Sequence, residues 1–226
     1  MSLYVIADLH LSLSVKKPMD IFGGWKDYME RLEANWKSHI HPDDTVVVPG
    51  DISWAMTLEE TTKDFAFLDA LPGQKLLMKG NHDYWWSTMS KMRTFLATKS
   101  FHTLSIIHNN AYAADGIGVC GTRGWFYDSE GEKKILLREA GRLQTSILEA
   151  EKLGVSPIVF LHYPPIYQDF SCTEITDVLK AHNITKCYYG HLHGRARRYA
   201  VQGVRDGIEY HLISADQLQF NPLRIQ

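Results

Sequence analysis

Five short apolar segments of this sequence are each followed, directly or after a glycine-containing turn, by a polar side chain that can bind a metal ion. The segments are residues 3–7, 45–48, 75–78, 158–161 and 187–189, and the side chains that follow them are Asp8, Asp51, Asn81, His162 and His191. In open α/β sheets, ligands bind in the crevice outside the carboxyl ends of the strands. We therefore expect the five segments to be strands whose carboxyl ends meet at one site.

The first half of the chain alternates these apolar segments with stretches of helical periodicity, which is typical of a largely parallel sheet covered by helices. Thr57 and Glu60 have the spacing of a capping box at the start of one such helix. Residues 85–96 are predicted to form the next helix.

From residue 103 onward, short strands at 103–107, 110–114 and 117–120 are separated by very short polar connections, which favour antiparallel pairing. A long helix follows, and its apolar face carries Leu136, Ala140, Leu143 and Ile147. Further strands are predicted at residues 158–161, 187–189, 197–201 and 208–213. The sequence therefore predicts an α/β fold with two sheets and helices outside. No linker or repeat divides residues 1–226, which favours a single domain.

Charge and cysteine content narrow the classes of protein to which this chain can belong. The formal net charge is -2, from 24 basic and 26 acidic residues, so the chain lacks the basic excess of a protein that binds nucleic acid through its phosphates. Cys120, Cys172 and Cys187 are odd in number and far apart, which is typical of reduced cysteines. With no signal-peptide pattern and no apolar stretch of about 20 residues, we expect a cytoplasmic protein that does not cross a membrane.

The candidate ligands form a set that is too large for one metal ion. The set contains two aspartates, one asparagine and four histidines: Asp8, His10, Asp51, Asn81, His162, His191 and His193. Two ions that share one carboxylate would use all of them, and Asp51 is the expected bridge because it is central in the set. Imidazole, carboxylate and amide ligands suit Mn²⁺, Fe²⁺ or Zn²⁺, and the absence of thiolates argues against structural zinc.

The charge of such a centre predicts its substrate. Two divalent ions, two aspartates and a bridging hydroxide leave the site with a charge near +1, which attracts a small phosphorylated substrate. Two ions about 3.5–4 Å apart can hold an attacking hydroxide and the phosphoryl oxygens of an in-line displacement. His82 is the predicted general acid for the leaving group, and the neighbouring Asp83 is predicted to keep its imidazole protonated.

The chain resembles the calcineurin-like metallophosphoesterases in five motifs that occur in the same order. These motifs are Asp8-Leu9-His10, Gly50-Asp51, Gly80-Asn81-His82-Asp83, His162 and Gly190-His191-Leu192-His193. The resemblance implies a four-layer αββα sandwich with two mixed β-sheets.

By position, the resemblance implies two ligand sets that share Asp51. One metal would take Asp8, His10, Asp51 and His193, and the other would take Asp51, Asn81, His162 and His191. His82 resembles the histidine that contacts substrate in the family. The chain departs from the family at Trp54, where an acidic or amide residue often stands three positions after the aspartate. No ligand is lost there, but the groove beside the metals is expected to differ.

Other residues near the motifs have two interpretations each. Arg123 follows a strand end and is a candidate substrate-binding residue, although a surface arginine fits the sequence equally well. Trp54, Trp85 and Trp86 would either stack on a substrate or pack in the core. Two other functions also fit: a nuclease of the same superfamily, against which the near-neutral charge argues weakly, and a non-catalytic scaffold, which would be expected to have lost ligands.

Overall fold

The computed structural model describes residues 1–125 and 133–225. Its helices are α1 (Tyr28–His39), α2 (Thr62–Ala70), α3 (Met89–Thr98), α4 (Lys133–Lys152) and α5 (Thr173–Ala181). Short 3-10 turns span Glu59–Thr61 and Gly194–Tyr199. The capping box of Thr57 and Glu60 is formed, because the backbone N–H of each residue donates to the side chain of the other.

The first sheet has five strands in the order β13-β1-β2-β3-β4. Its four parallel strands are β1 (Leu3–Val5), β2 (Thr45–Pro49), β3 (Gln74–Met78) and β4 (Leu104–Ile106), and β13 (Leu223–Arg224) is antiparallel at the edge. Every residue of β2 is buried, as expected of a central strand that is covered on both faces.

The second sheet has six strands in the order β11-β12-β10-β7-β6-β5. Its parallel strands are β6 (Ile117–Thr122), β7 (Ser156–Leu161), β10 (Lys186–Tyr189) and β12 (Ile208–Leu212). The edge strands β5 (Tyr112–Ala114) and β11 (Gly203–Arg205) are antiparallel. A separate hairpin consists of β8 (Ile166–Tyr167) and β9 (Phe170–Ser171). Both large sheets are therefore mixed, as expected.

Three apolar clusters separate the four layers of the fold. Along β1, Leu3 and Val5 belong to the cluster between the two sheets, whereas Tyr4 and Ile6 face the cluster beneath α1, α2 and α3. The third cluster lies between the second sheet and helices α4 and α5, and it includes the predicted apolar face of α4. This alternation confirms the αββα sandwich, because a strand buried on both faces must supply two cores.

Three predicted elements differ from the structure. The strand at residues 103–107 does not join the antiparallel group, because β4 pairs parallel with β3 in the first sheet. The predicted strand at 197–201 is instead within the 3-10 turn Gly194–Tyr199 and the residues after it. Helix α3 begins at Met89 rather than Trp85, because the Thr88 side chain accepts from the backbone N–H of Lys91 and caps the helix there.

Candidate metal centre

The structure brings all seven predicted ligands to one end of the two sheets. Asp8 follows β1, Asp51 follows β2, Asn81 follows β3 and His162 follows β7, while His191 and His193 follow β10 and His10 follows Asp8. Two three-residue groups could each hold a metal ion, Asp8 with His10 and His193, and Asp8 with Asp51 and His162. The backbone links the two sheets at this end, where the N–H of Ala7 donates to Ile213 O at 2.9 Å.

One side of the site is formed by two histidines that face two carboxylates. His10 Nε2 lies 3.4 Å from His193 Nε2 and 3.7 Å from Asp51 Oδ2. His193 Nε2 lies 3.8 Å from Asp8 Oδ1. These two imidazole nitrogens and two carboxylate oxygens face one another at distances of 3.4 to 3.8 Å, which leaves room for a metal ion that they could coordinate.

The other side of the site is centred on Asn81. Its Oδ1 lies 2.6 Å from His162 Nε2 and 2.9 Å from His191 Nδ1. Asp51 Oδ1 is 3.5 Å from the same nitrogen of His162. Asp51 therefore turns one carboxylate oxygen toward each side, which is the placement that a bridging ligand requires.

A buried oxygen without a donor indicates that the site fits a cation. Asp8 is fully buried, and its Oδ1 has no hydrogen-bond partner among the described residues. Its other oxygen accepts from the backbone N–H of His191 at 2.9 Å. Burial raises the pKa of Asp8 to about 7, against the opposing effect of His193. A divalent ion would remove the cost of this unpaired buried carboxylate.

Burial also keeps most of the histidines in the form that binds metals. It lowers the pKa of His10 and that of His191 to about 3, and it lowers the pKa of His162 well below its ordinary value. These imidazoles are therefore neutral near pH 7, as metal ligands must be.

The backbone of the site adopts conformations that are uncommon for residues with side chains. Asp8, His10, Asp51 and His191 have φ angles of 62°, 48°, 50° and 70°. Such left-handed conformations are rare outside glycine and concentrate at functional sites, where the surrounding structure must hold them. One contact that stabilises this backbone conformation is the hydrogen bond from the N–H of His10 to Asp51 O at 2.9 Å.

Two glycines make room for the carboxylates. A Cβ at Gly80 would overlap the Asp51 side chain, and a Cβ at Gly190 would overlap that of Asp8. Gly80 thus lets the end of β3 approach the ligand of the neighbouring strand β2, and Gly190 lets the end of β10 approach the ligand that follows β1 in the other sheet.

Sequence reasoning missed Asp216, which holds a proposed ligand in place. Its Oδ1 lies 2.9 Å from His193 Nδ1, and its Oδ2 accepts from the Gly194 N–H at 3.0 Å. Hydrogen bonding to this carboxylate raises the pKa of His193 against the effect of burial. The available signal was the pattern already used for the other strands, because Asp216 also follows a strand end, that of β12.

The predicted contact between Asp83 and the His82 imidazole is wrong. Asp83 is fully buried, and it accepts hydrogen bonds from the Trp85 indole and from four backbone N–H groups, those of Asp51, Ile52, Ser53 and Gly80. These five donors surround the carboxylate and turn it inward, so Asp83 positions the loop that carries Asp51.

His82 lies beside the site without a carboxylate at its ring. Its backbone N–H donates to Asp51 Oδ1 at 2.8 Å, and its Nδ1 is 3.2 Å from the Tyr84 hydroxyl. Burial lowers its pKa, in contrast to the expected protonated state. The ring packs 4.5 Å from that of Trp54, which itself stacks 4.9 Å from His10.

An apolar cleft of about 390 Å³ opens onto the site beside His82. Met19, Phe22, Trp25 and Trp54 line it together with His10, His82 and His193. Of the three tryptophans considered from the sequence, Trp54 therefore faces the site, whereas Trp85 is a core residue and Trp86 packs against that core.

Arg123 lies beside His162 but does not project toward the cleft. Its carbonyl oxygen accepts from the N–H of His162 at 3.2 Å. Its guanidinium is 4.6 Å from the Trp125 ring and 3.8 Å from Glu139 Oε1. The side chain lines a second cavity, on the flank of the site nearest β3 and β6.

Comparisons with known proteins agree with this fold. Residues 1–195 match the model of the calcineurin-like phosphoesterase family. The chain belongs to that family and is therefore a metallophosphoesterase, a hydrolase of phosphate esters. Comparison with curated protein sequences gave no significant match.

Solved structures share the fold at low sequence identity. A protein of unknown function from Aquifex aeolicus is 15% identical, with a TM-score of 0.53 over 99% of this chain and 95% of that one. The phosphopantetheinyl hydrolase of Mycobacterium tuberculosis is 14% identical, with the same TM-score and the same coverage. Within the described ranges, no helix has the length and apolar content needed to cross a bilayer.

Proposed function

We propose that this chain hydrolyses a small phosphorylated substrate with two divalent transition-metal ions held at the shared end of its sheets. The observation that carries the proposal is the position of Asp51, which lies between His10 at 3.7 Å and His162 at 3.5 Å, with a different oxygen toward each. One ion would take Asp8, His10, Asp51 and His193, and the other would take Asp51, Asn81, His162 and His191.

The donor set favours Mn²⁺, Fe²⁺ or Zn²⁺, because it combines imidazole with carboxylate and amide oxygens. Two such ions, when bound, would lower the pKa of a bridging water, supply it as the attacking hydroxide and neutralise charge on the phosphoryl oxygens. The chain's own part is to hold the neutral imidazoles and the two aspartates in position. The rigid strand ends and the contacts of Asp83 and Asp216 serve that purpose.

His82 is the proposed proton donor to the leaving group, and the negative charge of a bound phosphate would favour the protonated imidazole against the effect of burial. Its main chain is fixed by the hydrogen bond to Asp51, while its ring faces the apolar cleft with Trp54. A phosphate bound between the two ligand sets would direct its leaving group toward that cleft. The cleft's apolar and aromatic lining favours a leaving group that is apolar or carries a flat ring.

Cysteine chemistry supports a cytoplasmic location as part of this proposal. Cys120, Cys172 and Cys187 are all buried free thiols, and free thiols persist in reducing compartments.

Assays of metal-depleted and metal-restored protein test the proposed function. The full chain is treated with EDTA, supplied with Mn²⁺, Fe²⁺ or Zn²⁺, and incubated with phosphomonoesters, phosphodiesters, nucleotides and single-stranded DNA. Hydrolysis of small esters that disappears with EDTA and returns with metal supports the proposal. Cleavage of DNA alone would identify a nuclease, and no cleavage of any substrate would favour a binding scaffold.

A further inference from the structure

A second cavity, of about 230 Å³, lies on the flank of the metal site and is strongly basic. We call it the basic pocket. Its charged lining consists of Lys79, Arg123, Arg138, Arg142 and Glu139. Among the described residues that line the pocket, four cations against one carboxylate leave an excess of three positive charges, which favours an anionic ligand.

Glu139, the one carboxylate among the described lining residues of the basic pocket, already has partners. Glu139 is 1% exposed, and it accepts from the Thr122 hydroxyl at 2.6 Å and from Arg142 Nη1 at 2.6 Å. Arg123 Nη2 is 3.8 Å from the same oxygen that Arg142 uses. Glu139 therefore already accepts from Thr122 and neutralises Arg142, and no other carboxylate among the described residues lines the basic pocket.

Some polar donors of the basic pocket have no partner among the described residues. The Lys79 side chain is half-buried, and within residues 1–125 and 133–225 its ammonium makes no hydrogen bond or ion pair. Arg123 Nε is buried and likewise has no hydrogen-bond partner in that part of the chain. A phosphate in the basic pocket would give the Lys79 ammonium an acceptor.

The basic pocket is close to the proposed metals. Lys79 precedes the ligand Asn81 by two residues, which span at most about 7 Å of chain. Arg123 follows β6, and its carbonyl oxygen accepts a hydrogen bond from the backbone N–H of His162 at 3.2 Å. The residues after β3, β4 and β6 that line the pocket lie at the same edge of the sheets as the ligands.

We propose that the basic pocket binds a second phosphate group of the substrate, so that the enzyme prefers esters with two phosphates to esters with one. This inference rests on the proposed function, because the first phosphate must occupy the metal site. Arginine forks and a lysine ammonium are the side chains that proteins use most for phosphate. The second group would receive a hydrogen bond from the Lys79 ammonium and would lie in the positive field of the arginines that line the pocket.

Binding of inorganic phosphate to the metal-free full chain tests the pocket without catalysis. Titration calorimetry at low salt should show a saturable site in the wild type. Lys79→Gln should weaken binding about tenfold, the usual scale for losing one charge-assisted hydrogen bond. Lys91→Gln, an exposed lysine on α3, is the matched control and should bind as the wild type does. Equal binding by the wild type and Lys79→Gln would overturn the proposal.

A second variant separates binding from packing. Arg138 is exposed at the rim of the basic pocket, so Arg138→Gln leaves the buried part of the lining unchanged. Weaker phosphate binding in this variant, with an unchanged melting temperature, supports a direct role of the pocket. If both variants bind phosphate normally, the site of binding lies elsewhere and the proposal fails.

Kinetics then test whether the bound group belongs to the substrate. With Mn²⁺ present, release of phosphate is compared for butyl phosphate and for butane-1,4-diol bisphosphate. We expect the bisphosphate to have a KM about tenfold lower in the wild type and in Lys91→Gln, and Lys79→Gln should lose most of that advantage. Equal kcat/KM for the two esters would overturn the assignment to substrate. If neither ester is hydrolysed with any metal, the proposed function fails, while the phosphate titration still decides the pocket.

Discussion

Asp216 Oδ1 lies 2.9 Å from Nδ1 of His193, on the side of the imidazole that faces away from the other ligands. This contact fixes the tautomer and the orientation of the ring, because Nδ1 must carry the proton that the carboxylate accepts. His193 Nε2 is then left free to face Asp8 and His10. A carboxylate behind a ligating histidine recurs in metal sites and strengthens the ligand.

Replacing Asp216 should weaken one metal site without removing a ligand. We expect Asp216→Ala to lower metal affinity about 10- to 100-fold at that site, the usual effect of losing such a partner. Titration of the metal-free protein with Mn²⁺ measures it. Asp206→Ala is the matched control, since Asp206 is exposed and pairs only with Lys180 at 3.1 Å in the described chain. Equal Mn²⁺ affinities in the two variants would contradict the role of Asp216.

The ligands were predictable because each one obeys the same local rule. A buried strand ends, the chain turns, and a polar side chain points into the crevice where the sheets meet. Asp51 and His162 follow this rule within a few residues of β2 and β7. Asp216 does too, but three residues separate it from the end of β12, a longer interval than at Asp51 or His162, so the pattern is weaker there.

The prediction that Asp83 contacts the His82 imidazole was wrong because it relied on proximity in the sequence. Asp83 is adjacent to His82 in the chain, yet the turn after β3 directs the two side chains in opposite directions, one toward the cleft and the other toward the Asp51 backbone.

The pairing of β4 with β3 was not predicted, because tertiary packing also decides it. A three-residue strand carries little periodicity, and its partner is chosen by tertiary packing rather than by its short connection to β5.

Replacing the proposed bridge should affect both metals together. Asp51→Asn keeps the size of the side chain but removes its charge, so we expect metal content to fall toward zero and hydrolysis to be lost. Elemental analysis of the purified variant measures this loss, and circular dichroism tests whether the fold remains. Asp43→Asn changes an exposed aspartate and should keep the wild-type metal content. Loss of only one ion from Asp51→Asn would contradict a bridging role.

Asp83 should matter for stability rather than for proton transfer. Asp83→Asn replaces a carboxylate that accepts five hydrogen bonds with an amide. The N–H of that amide would face backbone N–H groups that donate to the carboxylate in the wild type. We expect a loss of about 3 kcal/mol in the free energy of unfolding, as for a buried charged acceptor. Urea denaturation measures it, with Asp43→Asn again as the control. A fully stable Asp83→Asn variant would contradict this structural role.

The buried lysine Lys75 should make stability rise with pH. Its ammonium is fully buried and donates to the carbonyls of Leu71 at 2.6 Å and Gly73 at 2.8 Å. Burial lowers its pKa to about 8, from 10.5 in an exposed lysine. The unfolded chain therefore binds more protons between these two values, so stability should increase as pH rises through that window, by at most about 3 kcal/mol.

Lys75→Met isolates this contribution because it removes the titrating group from an otherwise unchanged chain. The free energy of unfolding is measured by urea denaturation at several values between pH 7 and pH 10.5. The wild type should gain stability relative to Lys75→Met across that interval. Parallel pH curves for the two proteins would show that the lysine does not titrate on folding.

His82 offers the sharpest test of the proposed chemistry, because it separates proton donation from binding. A basic alkoxide needs a proton as it leaves, whereas an acidic phenolate departs without one. General acid catalysis is typically worth 10²- to 10⁴-fold, so His82→Ala should slow an alkyl phosphate by about that factor and p-nitrophenyl phosphate far less. Metal content should not change, because His82 is not a proposed ligand.

His102→Ala, at an exposed histidine, is the matched control and should hydrolyse both esters at the wild-type rate. The structure indicates that His82→Ala should not displace Asp51. Because the His82 backbone N–H, not its ring, holds Asp51, the alanine variant keeps that hydrogen bond and the bridge it positions. Equal rate losses on the two esters would therefore mean that the ring orients the phosphate instead of donating a proton. A loss of metal would mean that the imidazole is itself a ligand.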